Sequence, residues 1–325
     1  MSVSRIPPSS ASPAASALAQ RYPGKPNSWL KEGVSPSCVV LPSRGSGLLL
    51  DFLAAHLPMA SRAIWAQRLN DGLVLDPSGA ALQPDQHFVP GLRVYYWRAL
   101  PAEPALPFEA DILYEDAHIL LADKPHFLPV LPAGKYLQNS LLVRLKRATG
   151  NPDLSPVHRI DRETAGLVLF SKQAATRGVY QALFRDRAIE KSYEAIAPYR
   201  AGMAFPRAHH SRMQESEQFF LMEEVEGVPN SHTTMELVEH NQAWGRYLLS
   251  PISGKRHQLR VHMAALGLPL RNDSFYPEVN DPAEGDFSRP LQLLAKTLAF
   301  TDPVSGIAHR FCSRRQLLPL PKAGV

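Results

Sequence analysis

Apolar residues recur along this chain with two different periods, and the change of period divides it. Leu48, Leu49, Phe52 and Leu53 share one helical face before Pro58 interrupts it. Ser61 is a suitable N-cap for a second helix carrying Ile64, Trp65 and Leu69, which Gly72 closes. Short strands are expected over 73–76 and 89–97, with a turn from Asp76 to Gly79. Beyond residue 108 the pattern turns strand-like. Two apolar runs, 112–114 and 119–122, flank the turn 115–118 and predict a hairpin. Residues 137–149 read as a basic amphipathic helix, with Leu141, Leu142 and Leu145 inward and Arg144 and Arg147 outward. A buried strand at 166–172, a helix at 174–185 and a strand at 189–196 follow, the last with Lys191, Tyr193 and Ala195 on one side. Further strands are expected around 218–225, 232–238, 245–250, 293–301 and 307–311. The fold class is therefore α+β: a mixed, mostly antiparallel sheet with flanking helices, preceded by a small α/β module.

Composition sets the boundaries. Residues 1–27 are rich in Ser, Pro and Ala without periodicity and read as a disordered arm; 28–100 form the small module, 101–107 a proline-rich linker and 108–325 the larger domain. With 45% hydrophobic residues, the 325-residue chain is not wholly disordered. It has no run of about 18 apolar residues and no signal-like N-terminus, so neither a membrane span nor secretion is expected. Cys38 and Cys312 are too few for a disulfide framework or a C-x-x-C metal pair, and a reducing cytoplasm is the simplest compartment.

Charge matters by placement. The net charge is +5. Residues 140–214 carry 13 Lys and Arg against 6 Asp and Glu, whereas 215–240 carry seven Glu and no basic residue. A basic middle beside an acidic segment suggests a localised polyanion-binding face. Within it, His158-Arg159-Ile160-Asp161-Arg162-Glu163-Thr164 is the densest polar cluster. A carboxylate with arginine on both sides is expected to keep its charge, which suits a nucleophile or base. A second cluster, Ser253 to His262, places Arg256 and Arg260 at i and i+4 on a helix expected to start near Arg256, suited to a phosphate or a buried carboxylate. His257 and His262, like His209 and His210, lack zinc spacing, so no metal is expected. Phosphate-binding glycine motifs and the G-x-S-x-G elbow do not occur.

Four segments then carry a resemblance. VHRIDRETAGLVLFSK, from Val157 to Lys172, resembles the H-R-L-D-x-x-T-x-G-L-L-L-F-A-K signature of the RluA-type pseudouridine synthases. IEKSYEA (189–195), GKRHQLRVH (254–262) and DILYEDAHILLADKP (111–125) resemble further motifs of that family, in the same order. The likeness covers roughly residues 107–315, and residues 48–79 are more loosely similar to the small αL-type RNA-binding module that often precedes this domain. Two departures stand out: His126-Phe127 follows Lys124-Pro125 where most members have a Gly, and Leu294 stands where the family often has His.

The resemblance implies isomerisation of uridine to pseudouridine in structured RNA, ribosomal ahead of transfer RNA, by a monomer without metal or cofactor. Asp161 matches the catalytic aspartate, Tyr193 the tyrosine that stacks on the base, and Arg260 the arginine that pairs with the carboxylate. Whether Asp161 attacks the sugar or abstracts a proton stays open at this level. His158, Arg159, Arg162, Lys191, Arg256 and His257 are expected to meet the flipped nucleotide or flanking phosphates. The alternative is a non-catalytic RNA-binding protein on the same fold.

Overall fold

The computed structural model describes residues 29–97 and 103–322, apart from 32, 59, 281, 282 and 284. The arm expected over 1–27 lies outside the described residues. The chain divides between Pro101 and Ala102 into two compact units.

The smaller unit contains β1 (Ser37–Val40), α1 (Leu49–His56), α2 (Arg62–Asn70), β2 (Val74–Leu75) and β3 (Arg93–Tyr96), with the strands antiparallel in the order β1-β3-β2. Ser61 caps α2 as its sequence suggests, its Oγ accepting the Ile64 N–H at 3.3 Å. The apolar stripes of the two helices meet over this sheet, burying Leu49, Leu53, Trp65 and Leu69. The strand expected over 89–97 shortens to β3 because residues 89–92 turn, with the Leu92 N–H bonded to Val89 O. The basic residues of α2 are both engaged within the unit. Arg68 is buried, its guanidinium 5.0 Å from the centre of the Trp65 ring, and Arg62 is paired with Asp51 at 2.9 Å.

The larger unit contains, in chain order, β4 (Asp111–Glu115), β5 (Ile119–Lys124), α3 (Leu141–Thr149), β6 (Ser155–Pro156), β7 (Ala165–Ser171), α4 (Arg177–Arg185), β8 (Glu190–Pro198), β9 (Arg207–Glu215), β10 (Met222–Val225), β11 (Ser231–His240), β12 (Trp244–Pro251), α5 (Gln258–Ala265), β13 (Leu293–Thr301) and β14 (Ala308–Cys312). Eleven strands form one sheet, ordered β10-β9-β11-β12-β8-β13-β7-β5-β4, with β14 paired to β13 and β6 to β7. All these ladders are antiparallel except β7–β13. The α+β expectation therefore holds. The run Ala165 to Ser171 is buried at every position, as a continuous apolar strand at the centre of a covered sheet must be.

Gly166 fixes how closely β7 and β13 meet. Its φ is +111°, and a Cβ there would stand 2.3 Å from Ala295 O. Only glycine allows this backbone contact, which joins the strand after Asp161 to the one beside Tyr193.

Residues 103–107, read as the end of a linker, pack into this unit. The Glu103 carboxylate accepts the N–H groups of Gln138 and Asn139, and Leu106 is buried. For the same reason α3 starts at Leu141 rather than 137. Arg144, expected to face outward, donates to Leu106 O at 2.8 Å, to Phe108 O and to Asn139 Oδ1. Among the described residues no helix is long and apolar enough to cross a membrane.

Candidate active site

Asp161 sits in the loop between β6 and β7, and three neighbours hold that loop. His158 Nε2 accepts the Leu169 N–H at 3.0 Å, while its ring stacks on Phe184 at 4.3 Å between centres. Burial, with a smaller push from Lys191, drives the His158 pKa down to about 3, so the ring is a neutral acceptor. Lys124 is wholly buried at the end of β5, where its Nζ donates to Arg162 O at 3.0 Å and to Pro125 O at 2.9 Å. His126 Nδ1 bonds Glu163 O at 2.6 Å; a carbonyl can only accept, so the proton lies on Nδ1. Lys124 and His126 thus hold the backbone just after Asp161, His158 ties the residues before it to β7, and the Asp161 carboxylate lines a cleft.

That cleft has a volume of about 400 Å³. Asp161, Tyr193 and Arg260 all line it, with His158, Arg159, Lys191 and His257. Arg260 enters from α5 and is 1% exposed. Its Nη1 lies 3.6 Å from Asp161 Oδ2, and His257 Nε2 lies 3.9 Å from Asp161 Oδ1. Arg260 is itself gripped from behind. Asp273 takes it bidentately, at 2.9 Å to Nε and 2.6 Å to Nη2, and Glu163 Oε2 accepts from Nη2 at 3.0 Å. Burial alone disfavours the guanidinium charge; the bonds to Asp273 and the carboxylates of Asp161 and Glu163 outweigh it and hold the pKa above its usual value. Ser274 Oγ donates to Glu163 at 2.9 Å, and Asp273 Oδ1 also accepts the N–H groups of Phe275 and Tyr276. Such a fork-to-fork pair fixes orientation as well as charge.

His257 adopts φ +55° and is the N-cap of α5, so the helix begins at Gln258. This overturns the expected start near Arg256. Arg256 precedes the helix and turns away, donating to Phe219 O and Leu221 O and pairing with Glu215 at 3.6 Å. The Tyr276 hydroxyl accepts the Met222 N–H, and His257 Nδ1 lies 2.9 Å from the same oxygen. His257 Nε2 faces Asp161. Burial lowers the His257 pKa, Asp161 opposing it.

Tyr193 projects from β8 beside Leu293 of β13. Burial, and secondarily the Asp161 charge, raises its phenol pKa, so it stays neutral. Burial also lowers the Lys191 pKa, and its Nζ reaches Ser253 O at 3.4 Å. Arg162 departs from expectation like Arg256. Its side chain lies outside the cleft, Nη2 3.4 Å from Glu163 and Nη1 3.5 Å from the Tyr136 hydroxyl.

Glu163, Asp273, Ser274, Lys124 and His126 were assigned no site role by sequence reasoning. One signal was available: a fully buried Arg260 must find carboxylates, and the turn-forming run Asn272-Asp273-Ser274 lies just beyond α5.

The structure also gathers His209, Glu224 and His262, with ligand atoms within 4.8 Å, which spacing along the chain did not suggest. Here His209 Nε2 is bonded to Glu224 at 2.8 Å, and His262 is bonded to Ser211, Ser231 and Thr233 hydroxyls. An ion there requires these bonds to rearrange.

Residues 118–265 match the family model described as RNA pseudouridylate synthase. The dual-specificity RNA pseudouridine synthase RluA of Salmonella typhi is 31% identical over 217 residues, covering 65% of this chain and 94% of that protein. The ribosomal large subunit pseudouridine synthase D of Pseudomonas aeruginosa is 31% identical over 248 residues, covering 73% and 76%. Among solved structures, human RNA pseudouridylate synthase domain containing 1 shares the fold, with a TM-score of 0.54 and 22% identity over 66% of this chain and 86% of that one. The chain belongs to the RluA-type RNA pseudouridine synthases, a family of isomerases.

Proposed function

We propose that Asp161 is the catalytic carboxylate of this RNA pseudouridine synthase, that Tyr193 stacks on the target base and that Arg260 orients the carboxylate. One observation carries the assignment: Asp161 lines a cleft opposite a buried guanidinium whose other contacts, Asp273 and Glu163, keep it from moving. In the reaction the N1–C1′ bond breaks, the uracil turns, and C5 bonds to C1′. N1 gains a proton and C5 loses one, so the uridine itself supplies every heavy atom and no redox change occurs. Whether the acid attacks C1′ or takes the 2′ proton, the step needs an anionic oxygen beside the ribose, held before the substrate arrives. Tyr193 and Leu293 supply apolar surface for the everted base, whose unstacking costs a few kcal/mol. His257, Lys191 and Arg159 serve the nucleotide in the same cleft, and Arg162 the flanking RNA.

Names among the relatives guide the substrate reading. One is named for the ribosomal large subunit and others for dual specificity. We take ribosomal RNA ahead of transfer RNA, in the cytoplasm, with residues 29–97 as an accessory RNA-binding module. Pseudouridine mapping across total RNA tests this in cells with the wild type, without the protein, and with Asp161→Asn. One or a few sites should vanish together in the last two. Full modification with Asp161→Asn would overturn the role of Asp161.

A further inference from the structure

A second cavity, of about 910 Å³, opens on the other side of the Arg162–Glu163 segment from the Asp161 cleft. We propose that it is a subsite for an unpaired nucleotide flanking the target uridine: the base stacks on Phe127 and its phosphate meets Arg162 and Arg289. This rests on the isomerase reading above and extends it to the RNA around the target.

The aromatic wall has an uncommon backbone. Phe127 has φ +66°, a region that glycine enters freely and a bulky side chain enters only at a cost. Pro125 and His126 precede it, and the His126 bond to Glu163 O ties this turn to the catalytic loop. The strained conformation places the Phe127 ring in a cluster with Phe108 and Phe287, with centres 5.9 Å and 5.1 Å away, and a Phe108–Phe287 edge contact at 5.0 Å. Packing alone could be met elsewhere in the core by an unstrained residue. The Phe127 ring is 8% exposed, and the part it leaves on the cavity wall, one hydrogen bond from the catalytic loop through His126 and Glu163, points to binding.

The polar wall is complementary. The Arg162 guanidinium stands 5.8 Å from the Tyr136 ring centre and keeps substantial exposure, and Arg289 lies on the same wall. The carboxylates that line the cavity are partly committed, Glu163 also lying 3.4 Å from Arg162 and Asp286 within the influence of Arg289, so a phosphate would compete with them for the two arginines. Glu163 and Asp273 hold Arg260, and Asp286 accepts the Ser288 N–H at 2.9 Å. Cationic forks beside aromatic faces suit a nucleotide, with phosphate on the guanidinium and base on the ring. The neighbouring reaction supplies the occupant. Everting a uridine strips its neighbours of their stacking partner, and recognition of looped RNA takes such bases onto aromatic side chains. Because Asp161 and Arg162 are adjacent in sequence and face different cavities, an RNA strand with its uridine in the first has a flanking nucleotide beside the second.

The test is a cycle between protein and RNA. The probe is a short stem-loop transcript carrying the uridine that the wild type converts, with an abasic ribose placed in turn at each flanking nucleotide. Phe127→Gly removes the ring at a backbone angle that glycine prefers. KM should rise about tenfold with intact RNA, the usual size of a base–aromatic stack. At one flanking position the abasic RNA should cost the wild type the same factor and cost Phe127→Gly nothing further. Should Phe127→Gly lose its cooperative unfolding transition, Phe127→Leu fills the wall without a π face and carries the same cycle. Arg289→Gln should lower the slope of log affinity against log salt by about one. Equal abasic penalties in both proteins at every flanking position would overturn the stacking subsite, and an unchanged salt slope would overturn the phosphate contact. Failure of the isomerase reading is distinct, since the wild type would then form no pseudouridine in any of these RNAs.

Discussion

Arg260 stands 3.6 Å from Asp161 but only 2.6 Å from Asp273, so the guanidinium is anchored to one acid and offered to the other. The hydrogen bonds of Asp273 and Glu163 fix the arginine, while Asp161 is left at ion-pair distance in the open cleft, where an incoming ribose can reach it. This division of labour organises the expected effects of substitution.

Asp161→Asn keeps the shape and removes the charge. Turnover of an RNA substrate should fall by about three orders of magnitude or more, while RNA binding changes by less than about tenfold. Single-turnover assays with a parallel filter-binding measurement separate the two.

Arg260→Ala leaves Glu163 and Asp273 buried without their cation. It should cost about 3–5 kcal/mol of stability, read by denaturant unfolding, as well as most of the activity. Asp273→Asn is the sharper probe, because it loosens one anchor and preserves the arginine. Its kcat should drop while KM for RNA stays close to wild type. An unchanged kcat would mean that the Asp273 grip does not matter for chemistry.

Tyr193→Phe keeps the ring and its neutrality and should retain most activity. Tyr193→Ala should lose about tenfold or more in kcat/KM, in line with one base–aromatic stack. Indistinguishable rates for Phe and Ala would remove the stacking role.

Acid should destabilise the fold through its buried histidines. Burial pushes the pKa of His126 down to about 4 and those of His158 and His262 down to about 3. In the unfolded chain each titrates near 6.5, so between these values the unfolded state binds more protons and stability rises with pH. The contribution is complete above the unfolded value and is lost as pH falls through this window, at up to about 1.4 kcal/mol per pH unit for each histidine. His158→Gln retains an acceptor for the Leu169 N–H but does not titrate. Its unfolding free energy, measured from pH 7 to about pH 4, should show a shallower slope than the wild type.

Removing residues 1–101 should weaken RNA binding and flatten its salt dependence, because any phosphate contacts of the smaller unit go with it. Circular dichroism of the truncated chain checks that the larger unit remains folded. The burial of Arg68 and the Arg62–Asp51 pair limit the expected loss of slope to a few contacts.

The helices of the smaller unit, the β4–β5 hairpin and the buried β7 were legible because each is set by local periodicity and turn chemistry. So were Asp161, Tyr193 and Arg260, since short motifs carry their own spacing. The start of α5 was not legible, since nothing local to Arg256 and His257 announces a positive φ at residue 257; the contacts of Tyr276 and Asp161 with His257 accompany it. The partners of Arg260 come from the loop at 163 and the turn at 273, which only the β7–β13 pairing and the packing of α5 bring together. The division of Arg162 from Asp161, one into each cavity, is likewise invisible in a linear string, because what lies on each side of the loop belongs to distant segments. The amino-acid order thus determined the elements and the motifs that carry Asp161, Tyr193 and Arg260, and tertiary packing decided which charges meet, because pairing of buried ions depends on distances that no sequence separation encodes.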